Sequence, residues 1–202
     1  MASVILTVPH AVCRDESDVI RHLCDVVAER VARKLFDILT NRRHKVMLRI
    51  ADINREEVDL NRPEGRNTNF RRKLAEDFSR ADFLLDVHSF PKKVKWAEDV
   101  VFLKWANHRG DNREHVYCLL DKTARTDLNV AAVYGDEEND IVAHALENGL
   151  PAVLVEFSEV SVVQKDRRVV ERFAEAFVAF LEGVPKKTSE SLRVSELLAK
   201  LL

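Results

Sequence analysis

The stretch Asp82-Phe-Leu-Leu-Asp-Val-His-Ser-Phe-Pro91 places the strongest constraint on how this chain folds. The apolar run Phe83-Leu84-Leu85 leads into Asp86-Val87-His88, and Pro91 cannot donate to a sheet ladder, so the segment reads as a buried strand whose exit presents His88. Ligands of open α/β sheets gather at the carboxyl ends of strands. A lone histidine in that position is more often structural than a ligand, so its meaning depends on what the other strand exits carry.

Ser3–Val8 is a β-branched first strand closed by Pro9, which puts His10 at a strand exit as well. After the polar connection Arg14–Asp18, apolar residues Val19, Ile20, Leu23, Val26, Val27, Val31, Leu35 and Ile38 recur at helical spacing and predict one long amphipathic helix. A strand over Val46–Ala51 follows, then a turn-rich loop over Asp52–Gly65 and a helix from Asn67 to Ala81. Beyond Pro91, strands are expected at Asp99–Leu103 and His115–Leu120, with a turn at Asn107–Asn112. Asp136 is expected to cap a helix running to Asn148, closed by Gly149, with a buried strand at Ala152–Phe157 and a last large helix at Lys165–Leu181. Strands alternating with helices of this length predict a three-layer α/β sandwich around a mostly parallel or mixed sheet. The expected division is one catalytic domain over 1–184, with 185–202 as a linker and a C-terminal amphipathic helix carrying Leu197, Leu198, Leu201 and Leu202.

The 202 residues, 46% of them hydrophobic, suffice for one sizeable core. With 32 basic and 34 acidic side chains there is no whole-molecule field to attract nucleic acid. Cys13, Cys24 and Cys118 lack the even count and density of a disulfide framework, and none forms a CxxC pair, which favours a reducing compartment. The N-terminus has no basic region ahead of its apolar run, and no segment approaches the ~18 apolar residues that span a bilayer. These features predict a soluble, cytoplasmic protein.

Catalytic zinc takes three protein ligands, usually His and carboxylate, and keeps a position open for water. His10 and His88 supply two imidazoles. Helical phase selects the acid: Glu16 precedes Val19, Ile20 and Leu23 by helical steps and shares their stripe, with Asp18, on the solvent side beside His22 and Asp25, held in reserve. Glu156, inside an apolar strand, needs a charged partner or a reacting water, which suits a general base or a buried ion pair. Glu159 lies beyond the strand exit and is read as surface. Arg55, Asn61 and Arg62 form a cationic and amide cluster after the second strand, suited to a carboxylate or an oxyanion. Asp86 shares a strand face with His88 and is placed to orient it.

Pro9-His10, Asp59-Leu60-Asn61-Arg62, Asp86-Val87-His88-Ser89 and Ala152-Val-Leu-Val-Glu156 follow one another in an order that resembles the N-formylglutamate amidohydrolase-like family, and more distantly the zinc carboxypeptidases and aspartoacylases. The resemblance covers Ser3 to Glu156. It implies that His10, Glu16 and His88 bind zinc, that Asn61 and Arg62 hold a substrate carboxylate, that Arg55 polarises the attacked carbonyl, and that Glu156 is the base. The expected activity is zinc-dependent hydrolysis of an amide bond in a small N-acylated amino acid or related carboxylate. Two rivals are a carboxypeptidase-like metallopeptidase and a non-enzymatic anion or nucleic-acid binding module using Arg71-Arg-Lys73 and Lys92-Lys-Val-Lys95. The oligomeric state, a homo-oligomer included, is left open.

Overall fold

Six strands form one sheet in the order β2-β1-β3-β8-β4-β7: β1 (Ser3–Val8), β2 (Lys45–Ile50), β3 (Phe83–Phe90), β4 (Val100–Lys104), β7 (Val130–Tyr134) and β8 (Ala152–Ser158). A computed structural model describes residues 1–91, 96–135 and 139–184, with the backbone alone at 165–167. Lys92, Lys93 and Lys95, the expected Asp136 cap and the 185–202 tail lie outside the described residues. All neighbouring strands run parallel except β4, which is antiparallel to β8, so the sheet is mixed. The small hairpin β5 (Ala106–Asn107) and β6 (Gly110–Asp111) occupies the expected turn.

Alternation along the strands builds a core on each face. Val4, Leu6 and Val8, Phe83, Leu85 and Val87, and Val153, Val155 and Phe157 point to one side. There they meet α2 (Ala28–Asn41), α4 (Arg113–Ala124) and α6 (Glu159–Leu181), whose Leu35, Leu119, Phe173 and Phe177 are fully buried. Burying each such side chain stabilises the fold by roughly 1.5–3 kcal/mol. Ile5, Leu84 and Leu154 point to the other face, where α3 (Asn69–Asp77) and α5 (Asp140–Glu147) supply Phe70, Leu74 and Ile141. The three-layer α/β architecture is as the sequence predicts.

The same alternation decides where chemistry appears. Asp86 and His88 continue the parity of Leu84, and Glu156 continues that of Leu154, so all three belong to the α3/α5 face. They lie near the carboxyl ends of their parallel strands, with His88 and Glu156 directly paired in register.

Several local expectations are corrected. The long helix expected from Val19 to Ile38 is broken: α1 spans only Glu16–Ile20, capped by the Asp15 carboxylate, and α2 begins at Ala28. His22 takes φ 56°, which no helix tolerates, and Val19, Ile20 and Val26 are exposed. The expected 67–81 helix divides into a 3₁₀ turn at Pro63–Asn67, α3 and a second 3₁₀ turn at Phe78–Arg80. Residues 115–120 are helical in α4, because Val116, Leu119 and Thr123 bury one helical stripe that outweighs the local β propensity. Strand β7 carries no expectation from the sequence. The helix ending at Asn148 is capped by Asn139, whose Oδ1 accepts from Val142 N, and Gly149 closes it with φ 67° as expected. Cys13 and Cys24 are bridged, with Cα atoms 5.4 Å apart, so the reading of the cysteines is overturned and its argument for a reducing compartment falls with it. No described helix is long and apolar enough to cross a membrane.

Candidate metal centre

The exits of β1 and β3 bring His10 and His88 together with ring centroids 5.0 Å apart, nearly perpendicular. The acid beside them is Asp25. Donor atoms of His10, Asp25 and His88 all lie within 4.8 Å of one another, and both histidines are buried. Asp25 Oδ2 is 2.8 Å from His88 Nδ1 and 3.5 Å from His10 Nδ1. Yet Asp25 Oδ2 and His10 Nδ1 are sealed from solvent without a hydrogen bond of acceptable geometry among the described residues. Close approach of buried donor atoms without donor–acceptor alignment is compatible with a ligand set that could hold one cation.

The far nitrogens of both rings are held. His10 Nε2 lies 2.9 Å from Asp59 Oδ1, and His88 Nε2 lies 3.1 Å from Asp86 Oδ2 and 3.3 Å from Asn61 Nδ2. Thr7 Oγ1 donates to the other Asp86 oxygen at 2.5 Å, fixing that carboxylate inside the sheet. A carboxylate on the outer nitrogen of each imidazole fixes the ring and leaves Nδ1 for the shared centre. The placement expected for Asp86 beside His88 is observed.

Glu16, expected as the third member, is exposed on α1 and stands outside the group. Asp18, the reserve, is buried but turned to another loop, accepting from Arg14 N and from Asn54 Nδ2 at 2.7 Å each. The phase argument fails because α1 ends after five residues, so the helical period counted from Glu16 never reaches the core helix. Asp25 sits instead in the irregular segment before α2, its N–H donating to His10 O at 2.9 Å. Asp25 was missed because the unbroken helix put it on the solvent face; a Cys13–Cys24 pairing would have closed the loop next to it.

Glu156 and the 51–62 loop complete the surroundings. A cavity of about 220 Å³ opens over the cluster, with Glu156, Arg55, Asn61, Arg62 and Glu159 in its wall. Arg55 Nε donates to Asp59 Oδ2 at 2.8 Å and Arg62 Nε lies 3.7 Å from the same oxygen, so Asp59 joins both guanidinium groups to His10. Asn61 is buried between His88 and α5, where its Oδ1 accepts from Ile141 N. Glu156 Oε2 is sealed and has no hydrogen-bond partner among the described residues. Glu159, read as surface, lines the cavity and accepts from Ser89 Oγ.

Electrostatics follow from burial and from the carboxylates. Burial pushes Glu156 up to about 7, with Asp25 and Asp86 adding to the rise and the two imidazoles opposing it. Burial works against protonation of His88 and His10, but Asp86 and Asp25 beside the first, and Asp25 and Asp59 beside the second, hold both pKa values above the ordinary imidazole value. Asp25 and Asp59 stay well below the usual carboxylate range: burial opposes this, and the imidazoles outweigh it. A buried pair of proton-hungry imidazoles around a fixed carboxylate is a set that a divalent cation satisfies by replacing the protons.

No known family model matches the chain, and no curated protein matches it by sequence. Among solved structures it is similar to the gene product Atu2144 from Agrobacterium tumefaciens, at 15% identity and TM-score 0.65, over 88% of this chain and 90% of that one. It is also similar to the catalytic domain of CwlV, an N-acetylmuramoyl-L-alanine amidase from Bacillus (Paenibacillus) polymyxa var. colistinus, at 18% identity and TM-score 0.60, over 90% and 99% of the two chains. A third is an N-formylglutamate amidohydrolase from Ralstonia eutropha JMP134, at 12% identity and TM-score 0.54, over 100% and 95%. At these identities the likeness establishes the fold: the α/β sandwich of this chain is one that amidases and an amidohydrolase also use.

Proposed function

We propose that the chain is a zinc-dependent hydrolase that cleaves the amide bond of a small N-acylated amino acid or related carboxylate substrate. The observation that carries this reading is the convergence of His10, Asp25 and His88 beneath a cavity whose wall includes Glu156, with its Oε2 sealed and without a hydrogen-bond partner among the described residues. The fold it shares with an amidase and an N-formylglutamate amidohydrolase supports the reaction class.

His10 Nδ1, His88 Nδ1 and one Asp25 oxygen are the atoms that would hold the metal, and they fit it in type, burial and number. Zinc bound there supplies a Lewis acid and lowers the pKa of water toward neutral. Glu156 lines the cavity beside the cluster, where its carboxylate would take a proton from the attacking water and pass it to the leaving nitrogen. Arg55 and Arg62 place positive charge in the cavity wall, suited to the substrate carboxylate and to negative charge developing on the carbonyl oxygen. Asn61, whose Oδ1 accepts from Ile141 N at the start of α5, lines the cavity, where its amide nitrogen would donate to the substrate carboxylate. The polyanion-binding rival loses Arg71, which is fully buried and bonded to Leu60 O and Asp140.

The experiment is a hydrolysis assay of zinc-loaded protein on N-formyl and N-acetyl amino acids and on peptides, alongside Glu156→Gln. N-acyl amino acids should be cleaved, and the variant should keep its zinc while losing roughly 10²–10⁴ of the rate. Turnover of peptides alone would replace this reading with a carboxypeptidase-like one, and full activity in Glu156→Gln would remove the base.

A further inference from the structure

Asp25 is the least supported member of the cluster by secondary structure. His10 and His88 are tied to strands, but Asp25 lies in the irregular stretch between α1 and α2, and a carboxylate on such a segment needs something to hold it. Glu159, the first residue of α6, reaches across from the end of β8 to this stretch. Its Oε1 accepts from Ser89 Oγ at 3.1 Å and from Val26 N at 3.3 Å, and Val27 N donates to Ser89 Oγ at 3.4 Å. Ser89 follows His88 in β3, and Val26 follows Asp25. One carboxylate and one hydroxyl therefore join the residues immediately beyond Asp25 and His88, whose own side chains approach to 2.8 Å between Asp25 Oδ2 and His88 Nδ1.

We infer that Glu159 is a positioning residue for the metal centre: with Ser89 it clamps the Asp25 segment to β3 and sets the spacing between the Asp25 and His88 ligand atoms. This rests on the zinc site proposed above. Glu159 touches neither substrate nor metal in this role; it acts through the backbone of Val26 and the hydroxyl of Ser89. An acidic residue in the first turn of a helix also compensates the helix dipole, and the two roles differ in what an amide can replace. Glutamine keeps an oxygen that accepts from Ser89 and Val26 but carries no charge for the dipole.

The test compares the full-length wild type with Glu159→Gln, Glu159→Ala and Ser89→Ala, reading zinc affinity by competition against a chromophoric chelator and ligand geometry by the visible spectrum of the cobalt(II)-loaded proteins. The clamp predicts that Glu159→Ala weakens zinc binding by about 10- to 100-fold, the range seen when groups that orient metal ligands are removed. It predicts an altered cobalt spectrum in that variant, a smaller change of the same kind in Ser89→Ala, and affinity within about fivefold of wild type in Glu159→Gln. Equal weakening by Gln and Ala would assign Glu159 to the helix dipole and overturn the clamp. If Glu159→Ala does not fold, Ser89→Ala decides: an unchanged affinity and cobalt spectrum overturns the clamp. Tight zinc binding by wild type with no change in any variant overturns the clamp alone, whereas a wild type that binds no zinc overturns the site and the clamp with it.

Discussion

At the scale of single residues, Glu156 couples the site to stability. In the metal-free protein its pKa stands near 7, above the ~4.3 of an unfolded glutamate. Between these values the folded state holds a proton that the unfolded state has released, so stability falls as pH rises through this window and the full penalty applies above about 7. The gap corresponds to about 3–4 kcal/mol. Glu156→Gln cannot ionise; metal-free, it should match wild type near pH 4 and exceed it by about 3–4 kcal/mol at pH 8 in denaturant melts followed by circular dichroism. Equal stability of the two proteins at both pH values would show that burial does not hold the Glu156 proton in the folded chain. His10, His88 and Glu156 could be singled out as candidates because strand exits and a charge inside an apolar strand are local signals. Asp25 and Asp59 were not legible as members of the candidate site, because their place comes from partners 63 and 49 positions away, His88 and His10.

At the scale of elements, two tethers hold the site loops. The Cys13–Cys24 bridge closes the segment that runs from the exit of β1 to Asp25. Closing a loop of this length stabilises a fold by about 2–3 kcal/mol through the unfolded state. Cys13→Ser, or wild type in excess dithiothreitol, should melt earlier by that amount in calorimetry, and an unchanged melting temperature would show the bridge to be absent in solution. On the opposite side, Asp140 at the start of α5 accepts from Arg66, Arg71 and Arg109, joining α5 to the turn after the Arg62 loop and to α3. Burial opposes its ionisation, but the hydrogen bonds from Arg66 and Arg109 and the charge of Arg71 hold it well below the usual range. Its contribution is present above the unfolded value of ~3.9 and is lost as pH falls toward the folded pKa. Asp140→Asn strands the fully buried Arg71 and should cost about 3–5 kcal/mol at neutral pH, with a flatter acid limb in stability measured against pH. A cost below 1 kcal/mol would mean that water reaches Arg71. The helix break before α2 and the helical state of 115–120 were hidden from the sequence for a common reason. In each segment two local patterns compete, and tertiary burial decides between them: Val19, Ile20 and Val26 stay exposed around the break at His22, and Val116, Leu119 and Thr123 are buried as a helical stripe.

Across the whole molecule, the legible part was the part fixed by alternation. Apolar runs at Ser3–Val8, Phe83–Phe90 and Ala152–Ser158 adjoin in the sheet centre, so reading each as a buried strand was enough to recover a layered α/β sandwich and to bring three exits to one edge. Strand order, the reversed direction of β4 and the presence of β7 depend on long-range pairing that no local pattern encodes. The two-sided core explains why the site faces α3 and α5: His88 and Glu156 have the parity of Leu84 and Leu154, and the cavity opens beyond those last apolar positions. That geometry has use only if His10, Asp25 and His88 bind one cation together. The most direct measurement is the zinc content and affinity of purified wild type and of Asp25→Ala, by plasma mass spectrometry and chelator competition. The account predicts one tightly bound zinc per wild-type chain and loss of stoichiometric zinc in the folded variant; wild type without zinc affinity, or Asp25→Ala that retains it undiminished, would contradict it.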